Sequence, residues 1–395
     1  MRNITGTVAE GEDFFGRDKE QRQMWSKLQD NANLALLAPR RVGKTSLLKR
    51  LKATANHHGY RAVYLDVGDA ADEWAFVERL SQAVLAEAGN ELILQKLEGN
   101  PLLQYFKNIK KIGGFGFSVE KEQQQQARWD KLGQSLLAAL DATDGRWLVQ
   151  IDELPVFLLK LLQPESDAAR QRAREFLYWL RRLRGDYTQI QWIVAGSIGL
   201  DAVAERYRLS DAVNDLTIFH LQAYDEPIAD HFLQALAQSY PLALPLEVRA
   251  YIIDRVGWPI PYHLQLFYAG LRDHCDGRTS ATREDVDAVF ENLLQPAHSS
   301  YFDTWRQRLQ DELGRPDSDY ALGLLNAVCL DPAGVSRDTL GLWLGAKLND
   351  PEAKDYKLRY LLNVLDGDGY LIEDKGRYRF RSFLLREYWR RRVAA

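Results

Sequence analysis

The sequence predicts an α/β chain: a parallel-sheet core, then a helical segment, then a C-terminal winged-helix domain. Three observations predict this. Up to about residue 220, short apolar runs alternate with helix-length amphipathic segments, the pattern of parallel strands joined by crossover helices. The apolar run 33–38 leads straight into Gly43-Lys44-Thr45 and a further helix pattern. From about residue 318, three helix patterns precede two short strands that meet at Lys375-Gly376.

Each element has its reason. Residues 13–30 have helical character after a short loop, and 33–38 (NLALLA) has strand length. Residues 46–55 place Leu47, Leu48 and Leu51 at helical spacing. The run 62–67 (AVYLDV) reads as a second buried strand. Residues 72–88 read as a helix with Trp74, Phe76, Val77 and Leu80 on its apolar side. Residues 99–128 break the alternation with a glycine-rich hairpin around Gly113–Gly116 and the run Gln123–Gln126, so they read as an insertion. A helix (129–141), a strong strand (146–151), an arginine-rich helix (167–184), a fourth strand (189–195) and a fifth (217–221) complete the core. Helices fill 225–295, broken by the turn Gly257-Trp258-Pro259. Helices at 319–330, 336–345 and 354–366, strands at 369–372 and 377–380, and a helix at 383–392 close the chain. The domain reading is 1–223 (core, with the insertion at about 99–128), 224–312 (helical lid) and 313–395 (winged helix).

Composition bounds the function. At about 150 residues per domain, 395 residues suggest two or three domains. The formal net charge is −4, so bulk electrostatics draw the chain to neither nucleic acid nor membrane. Two cysteines, Cys275 and Cys329, exclude a disulfide framework and a cysteine-rich zinc site. They fit a reducing compartment, and with no signal-peptide pattern and no apolar run of about 18 residues the expectation is a cytoplasmic protein without membrane spans.

Two motifs carry chemistry. Ala38-Pro39-Arg40-Arg41-Val42-Gly43-Lys44-Thr45 fits the phosphate loop G-x-x-x-x-G-K-[ST] except at its first position, where Ala38 replaces glycine. Such a loop aims successive backbone N–H groups, reinforced by a helix N-terminus, at phosphate oxygens. Lys44 is placed to reach the β- and γ-phosphates and the Thr45 hydroxyl to ligate Mg²⁺. The strand WLVQI ends in Asp152-Glu153, with the first acid suited to a metal and the second to the attacking water. Asp66 ends the second strand without an adjacent acid and ranks below. The fourth strand ends in Gly196-Ser197, and Ser197 is a candidate polar group beside the γ-phosphate.

A resemblance then covers nearly the whole chain. Phe14-Phe15-Gly16-Arg17-Asp18-Lys19-Glu20 is similar to the F-x-G-R-x-x-E box of AAA+ ATPases, especially the STAND and archaeal-type ATPase branch. Pro39 to Leu48 resembles that branch's P-R-R-x-G-K-T-S-L-L phosphate loop. Gly196-Ser197 and Gly257-Trp258-Pro259 are similar to its strand-four serine and G-x-P lid motif. The resemblance implies that Phe15, Gly16 and Arg17 pack the base of ATP or ADP and that Gly257 and Pro259 place a lid over the nucleotide. It implies that Pro39, Arg40, Arg41, Val42, Gly43, Lys44, Thr45 and Ser46 surround the phosphates, with Thr45 and Asp152 on Mg²⁺. No sensor-two arginine follows Pro259, where His263 is the nearest titratable group. Arg206 and Arg208 stand where related ATPases put an arginine finger.

The leading expectation is an ATP-hydrolysing molecular switch acting on a partner protein or a second copy, with stress or phage defence implied by the family alone. A second reading is a nucleotide-gated DNA-binding regulator of the origin-recognition or transposition type. Its candidate surfaces are Lys354, Lys357 and Arg359, the last helix with Arg386 and Arg390–Arg392, and the hairpin with Lys107, Lys110, Lys111, Phe115 and Phe117. Residues 315–395 carry 14 basic against 12 acidic side chains, a weak cationic balance for a DNA reader. A third reading is an ATP-binding scaffold with little turnover.

Overall fold

The computed structural model describes residues 1–100, 103, 128–196, 199–348 and 350–394. The expected hairpin and glutamine run of the insertion lie outside the described residues. The chain divides into two compact units. One comprises Arg17–Leu37 and Leu47–His220; the other comprises Met1–Gly16, Ala38–Ser46 and Leu221–Ala395.

The first unit is the parallel α/β sheet. Its elements are α1 (Asp18–Gln29), β1 (Leu34–Leu37), most of α2 (Lys44–Thr54), β2 (Tyr60–Asp66), α3 (Glu73–Ala88), α4 (Asn90–Lys96), α5 (Trp129–Asp141), β3 (Arg146–Asp152), α6 (Leu154–Leu161), α7 (Asp167–Asp186), β4 (Ile190–Gly196), α8 (Leu200–Arg206) and β5 (Thr217–His220). The sheet order is β2-β3-β4-β1-β5, and every neighbour pair is parallel. Side-chain alternation sends Trp147, Val149 and Ile151 of β3 and Trp192 and Val194 of β4 into one core. There Phe76, Phe157, Phe176 and Trp179 pack edge-on and tilted, with centroids 4.9–6.3 Å apart. Asp72 and Ser166 cap α3 and α7 by accepting from the Ala75 and Ala169 N–H groups.

One expected element is corrected. The helix foreseen over 13–30 starts only at Asp18, because Gly16 and Arg17 have φ of 64° and 67°, outside the right-handed helical region. Helices α4, α6 and α8 were not foreseen.

The second unit is mostly helical: α9 (Glu226–Gln238), α10 (Leu246–Val256), α11 (Pro261–His274), α12 (Arg283–Leu293), α13 (Ser300–Leu313), α14 (Asp317–Cys329), α15 (Arg337–Gly345), α16 (Pro351–Gly367) and α17 (Phe383–Arg392). A small antiparallel sheet, β6 (Val335–Ser336), β8 (Arg377–Phe380) and β7 (Leu371–Asp374) in that spatial order, lies among the last of them. Proline opens α11 and α16, where its missing N–H costs nothing. Lys375 and Gly376 turn the hairpin with φ of 50° and 77°, the positive pair a tight two-residue turn needs. The N-terminal segment belongs to this unit: the Asn3 N–H donates to the Tyr240 hydroxyl at 2.8 Å, and Asp13 accepts from the Arg2 N–H and guanidinium. Among the described residues, no helix is long and apolar enough to cross a membrane.

Candidate functional site

The loop that follows β1 is shaped by its backbone. Arg41 and Gly43 have φ of 63° and 96°, and α2 begins at Lys44. Nothing lies within 4 Å of where a Gly43 Cβ would stand, so glycine is required there by conformation and not by space. Val42 is fully buried and Lys44 is 7% exposed. Within the same unit the loop has firm neighbours. The Arg41 guanidinium lies 3.8 Å from the Tyr262 ring centroid, a cation–π contact to the first turn of α11. Burial pushes the Tyr262 hydroxyl pKa up. The Ser46 hydroxyl accepts the Ala9 N–H at 3.1 Å. A Cβ added at Gly369 would meet Trp258 at 2.5 Å and Pro39 at 2.8 Å, which shows how closely the β7 approach packs on the loop at Pro39.

The residues expected around the base lie as follows. Phe15 packs edge-on against Tyr224 and Phe232, and its carbonyl accepts the Tyr224 hydroxyl at 2.9 Å. Gly16 lies against Ile228 and Tyr224. Arg17 belongs to the sheet unit, is 3% exposed, and pairs with Glu20 at 2.8 Å. Gly257 ends α10 at φ 69°, and a Cβ there would lie 2.5 Å from the Phe383 ring. The Pro259 carbonyl accepts the Tyr224 N–H at 3.3 Å. His263 is fully buried in α11; burial, with Arg41 adding repulsion, depresses its pKa to about 3.

The strand tips supply the acids. Leu37 and Gly196 pair in register, as do Asp66 with Asp152 and Ile151 with Val194, so β1, β2, β3 and β4 finish on one edge of the sheet. Asp152 is 1% exposed. Its Oδ1 accepts the Glu153 N–H at 3.0 Å and its Oδ2 accepts the Tyr64 hydroxyl at 3.2 Å. Glu153 has φ 61° and sits at the head of α6. Asp66 has its pKa raised by burial, reinforced by Asp152 and Glu153 and opposed by the Gly68 N–H it accepts. Gln150 is fully buried on β3, and neither end of its amide is hydrogen-bonded. Ser197 lies outside the described residues. Arg206 pairs with Glu165 at 2.8 Å, and the Arg208 carbonyl accepts from Arg174.

Several of the cations proposed for DNA are engaged within their own unit. Lys357 pairs with Asp317 at 2.7 Å, Arg390 with Glu387 at 2.9 Å and Arg391 with Glu291 at 2.7 Å. Arg392 donates to the Leu294 carbonyl. The lysines and phenylalanines of the hairpin lie outside the described residues.

Sequence reasoning passed over Tyr64, Gln150 and Tyr262. Tyr64 and Gln150 look like ordinary strand residues, and nothing local ties Tyr262 to Arg41. The donors at hand fit Mg²⁺, which prefers hard oxygens and takes one or two carboxylates plus substrate phosphates. Among the described residues, no three or more His, Cys, Asp or Glu gather into an all-protein metal site.

A phosphate loop on β1 of a five-stranded parallel sheet, with a strand-end acid pair two strands away, defines the fold of Walker-type ATPases. Residues 7–107 match the family model described as AAA-like domain. A Walker-type ATPase of Pyrococcus abyssi aligns with a TM-score of 0.64 at 17% identity, over 98% of this chain and 99% of that one. The ORC2 protein of Aeropyrum pernix, solved in ADPNP–ADP complexes, aligns with a TM-score of 0.52 at 15% identity, over 96% and 95%. No curated protein matches the chain. At such identities the likeness is one of fold.

Proposed function

We propose that the chain binds ATP with Mg²⁺ and hydrolyses it, using the two nucleotide states as a switch. The observation that carries this reading is the sheet edge: β1 runs directly into the phosphate loop, and β3 ends in Asp152-Glu153 on that same edge, with β4 between them. In this reading Lys44 reaches the β- and γ-phosphates, and the loop N–H groups from Arg40 to Thr45 cradle them. Thr45 and Asp152 hold the metal, which when bound neutralises charge on the phosphate oxygens. Glu153 orients the water and takes its proton. The water oxygen bonds to the γ-phosphorus as the bond to the ADP oxygen breaks. Phe15, Gly16 and Arg17 are read as the base side, with Gly257 and Pro259 fixing a lid over 224–312.

The same reading takes 313–395 as a winged helix in the manner of the STAND branch, passing the nucleotide state to a partner protein or second copy. Contact of Pro39 and Arg41 with Gly369 and Tyr262 supports such a coupling. The DNA-regulator reading draws less support, because Lys357, Arg386, Arg390 and Arg391 already meet carboxylates. The complete acid pair favours turnover over the scaffold reading.

The test is phosphate release and nucleotide binding by Lys44→Ala and Glu153→Gln. Glu153→Gln is expected to keep nucleotide while turnover falls at least about a hundredfold, the usual size of a general-base effect. Lys44→Ala is expected to lose both. Unchanged hydrolysis in both variants would refute the assignment.

A further inference from the structure

We propose that Tyr64 is a positioning residue for Asp152, fixing the carboxylate in the orientation that a magnesium–nucleotide requires. The proposal rests on the reading of Asp152 given above. Asp152 is almost wholly buried, and a buried carboxylate is stable only where donors meet it. Both oxygens are met. The Glu153 N–H, turned by the left-handed backbone at that residue, takes Oδ1 at 3.0 Å; the Tyr64 hydroxyl takes Oδ2 at 3.2 Å. Each donor uses one acceptor direction of a carboxylate oxygen, which has more than one. Together these two donors restrain the rotation of the carboxyl group.

The sheet register explains why Tyr64 can do this. Tyr64 lies opposite Gln150 and two residues before Asp66, which lies opposite Asp152. Its side chain therefore rises on the face of the sheet that carries Asp152 and reaches it diagonally. No reaction step passes through it; it acts through Asp152, as outer partners do at metal sites.

The experiment is a Mg²⁺ titration of fluorescent ADP affinity for wild type, Tyr64→Phe and Asp152→Asn, with affinity in EDTA and the thermal midpoint measured alongside. Tyr64→Phe keeps the ring and removes the donor. The expected result is an approximately tenfold rise in the Mg²⁺ concentration for half-effect, in the range outer partners of metal ligands command, with EDTA affinity and thermal midpoint as in wild type. A wild-type Mg²⁺ response in Tyr64→Phe, with Asp152→Asn shifted, would overturn the role of Tyr64 and leave the Asp152 reading standing. An unshifted Asp152→Asn would overturn that reading itself. Loss of EDTA affinity and midpoint together in Tyr64→Phe would mark a structural lesion, and would overturn the proposal as well.

Discussion

His263 sits where a protonated imidazole has no room to be solvated. It is fully buried, neither ring nitrogen has a well-aligned hydrogen bond, and Arg41 lies close enough to add repulsion. The unfolded chain takes up this proton near pH 6.5, and the folded chain only near pH 3. The unfolded state therefore binds more protons between those values, and stability is full above pH 6.5 and falls as the pH drops below it. The slope is about 1.4 kcal/mol per pH unit for one such group. His263→Leu removes the term. Between pH 7 and pH 5 its thermal midpoint is expected to fall less than that of wild type; equal losses would show that the acid sensitivity lies elsewhere.

Among the elements, the end of α10 is a tightly constrained stretch of backbone in the second unit. Gly257→Ala meets a φ of 69° and the Phe383 ring at 2.5 Å together, so it is expected to cost about 2–4 kcal/mol, read as a lowered urea midpoint. The contact from the phosphate loop to α11 is milder: Tyr262→Phe should keep the Arg41 stacking, whereas Tyr262→Ala should lose it and weaken nucleotide binding several-fold, measured by the same fluorescent ADP. How much of this was legible follows from periodicity. Helices such as α5 and α17 have clear apolar stripes and were placed as the pattern foretold. Helix α6 escaped because VFLLKL is apolar on nearly every side and carries no stripe to read. α8 has only seven residues and β6 only two, too short for a period to show. Residues 13–17 carry helix-compatible residue types, but the consecutive left-handed backbone of Gly16 and Arg17, which residue type alone does not reveal, excludes a right-handed helix there. The candidate phosphate-loop and acid-pair residues stand out in the sequence because the chemistry proposed for them fixes residue type and spacing. Tyr64 does not, since its meeting with Asp152 arises only when β2 and β3 come into register.

At the scale of the molecule the question is whether the C-terminal cations form a field or a set of local pairs. The overall charge is −4, and the final helix spends Arg390 and Arg391 on Glu387 and Glu291, with Arg392 on a carbonyl. Exposed pairs of this kind add little stability, about 0–1 kcal/mol each, but they place a carboxylate beside each cation and cancel the far field. Duplex affinity gained by releasing counterions needs cations that reach phosphates without first giving up such partners. Duplex binding at about 0.15 M salt is therefore expected to stay within the nonspecific range of roughly 10⁻⁴–10⁻⁶ M, whether ATP or ADP is present. Neutralising Arg390, Arg391 and Arg392 together as glutamines should change it little, while ATP turnover continues. Filter binding across a salt series checks this. Tight duplex binding with a steep salt slope that the triple variant flattens would mean that the helix exchanges its carboxylates for phosphates, and the DNA-regulator reading would displace the switch coupled to a protein partner.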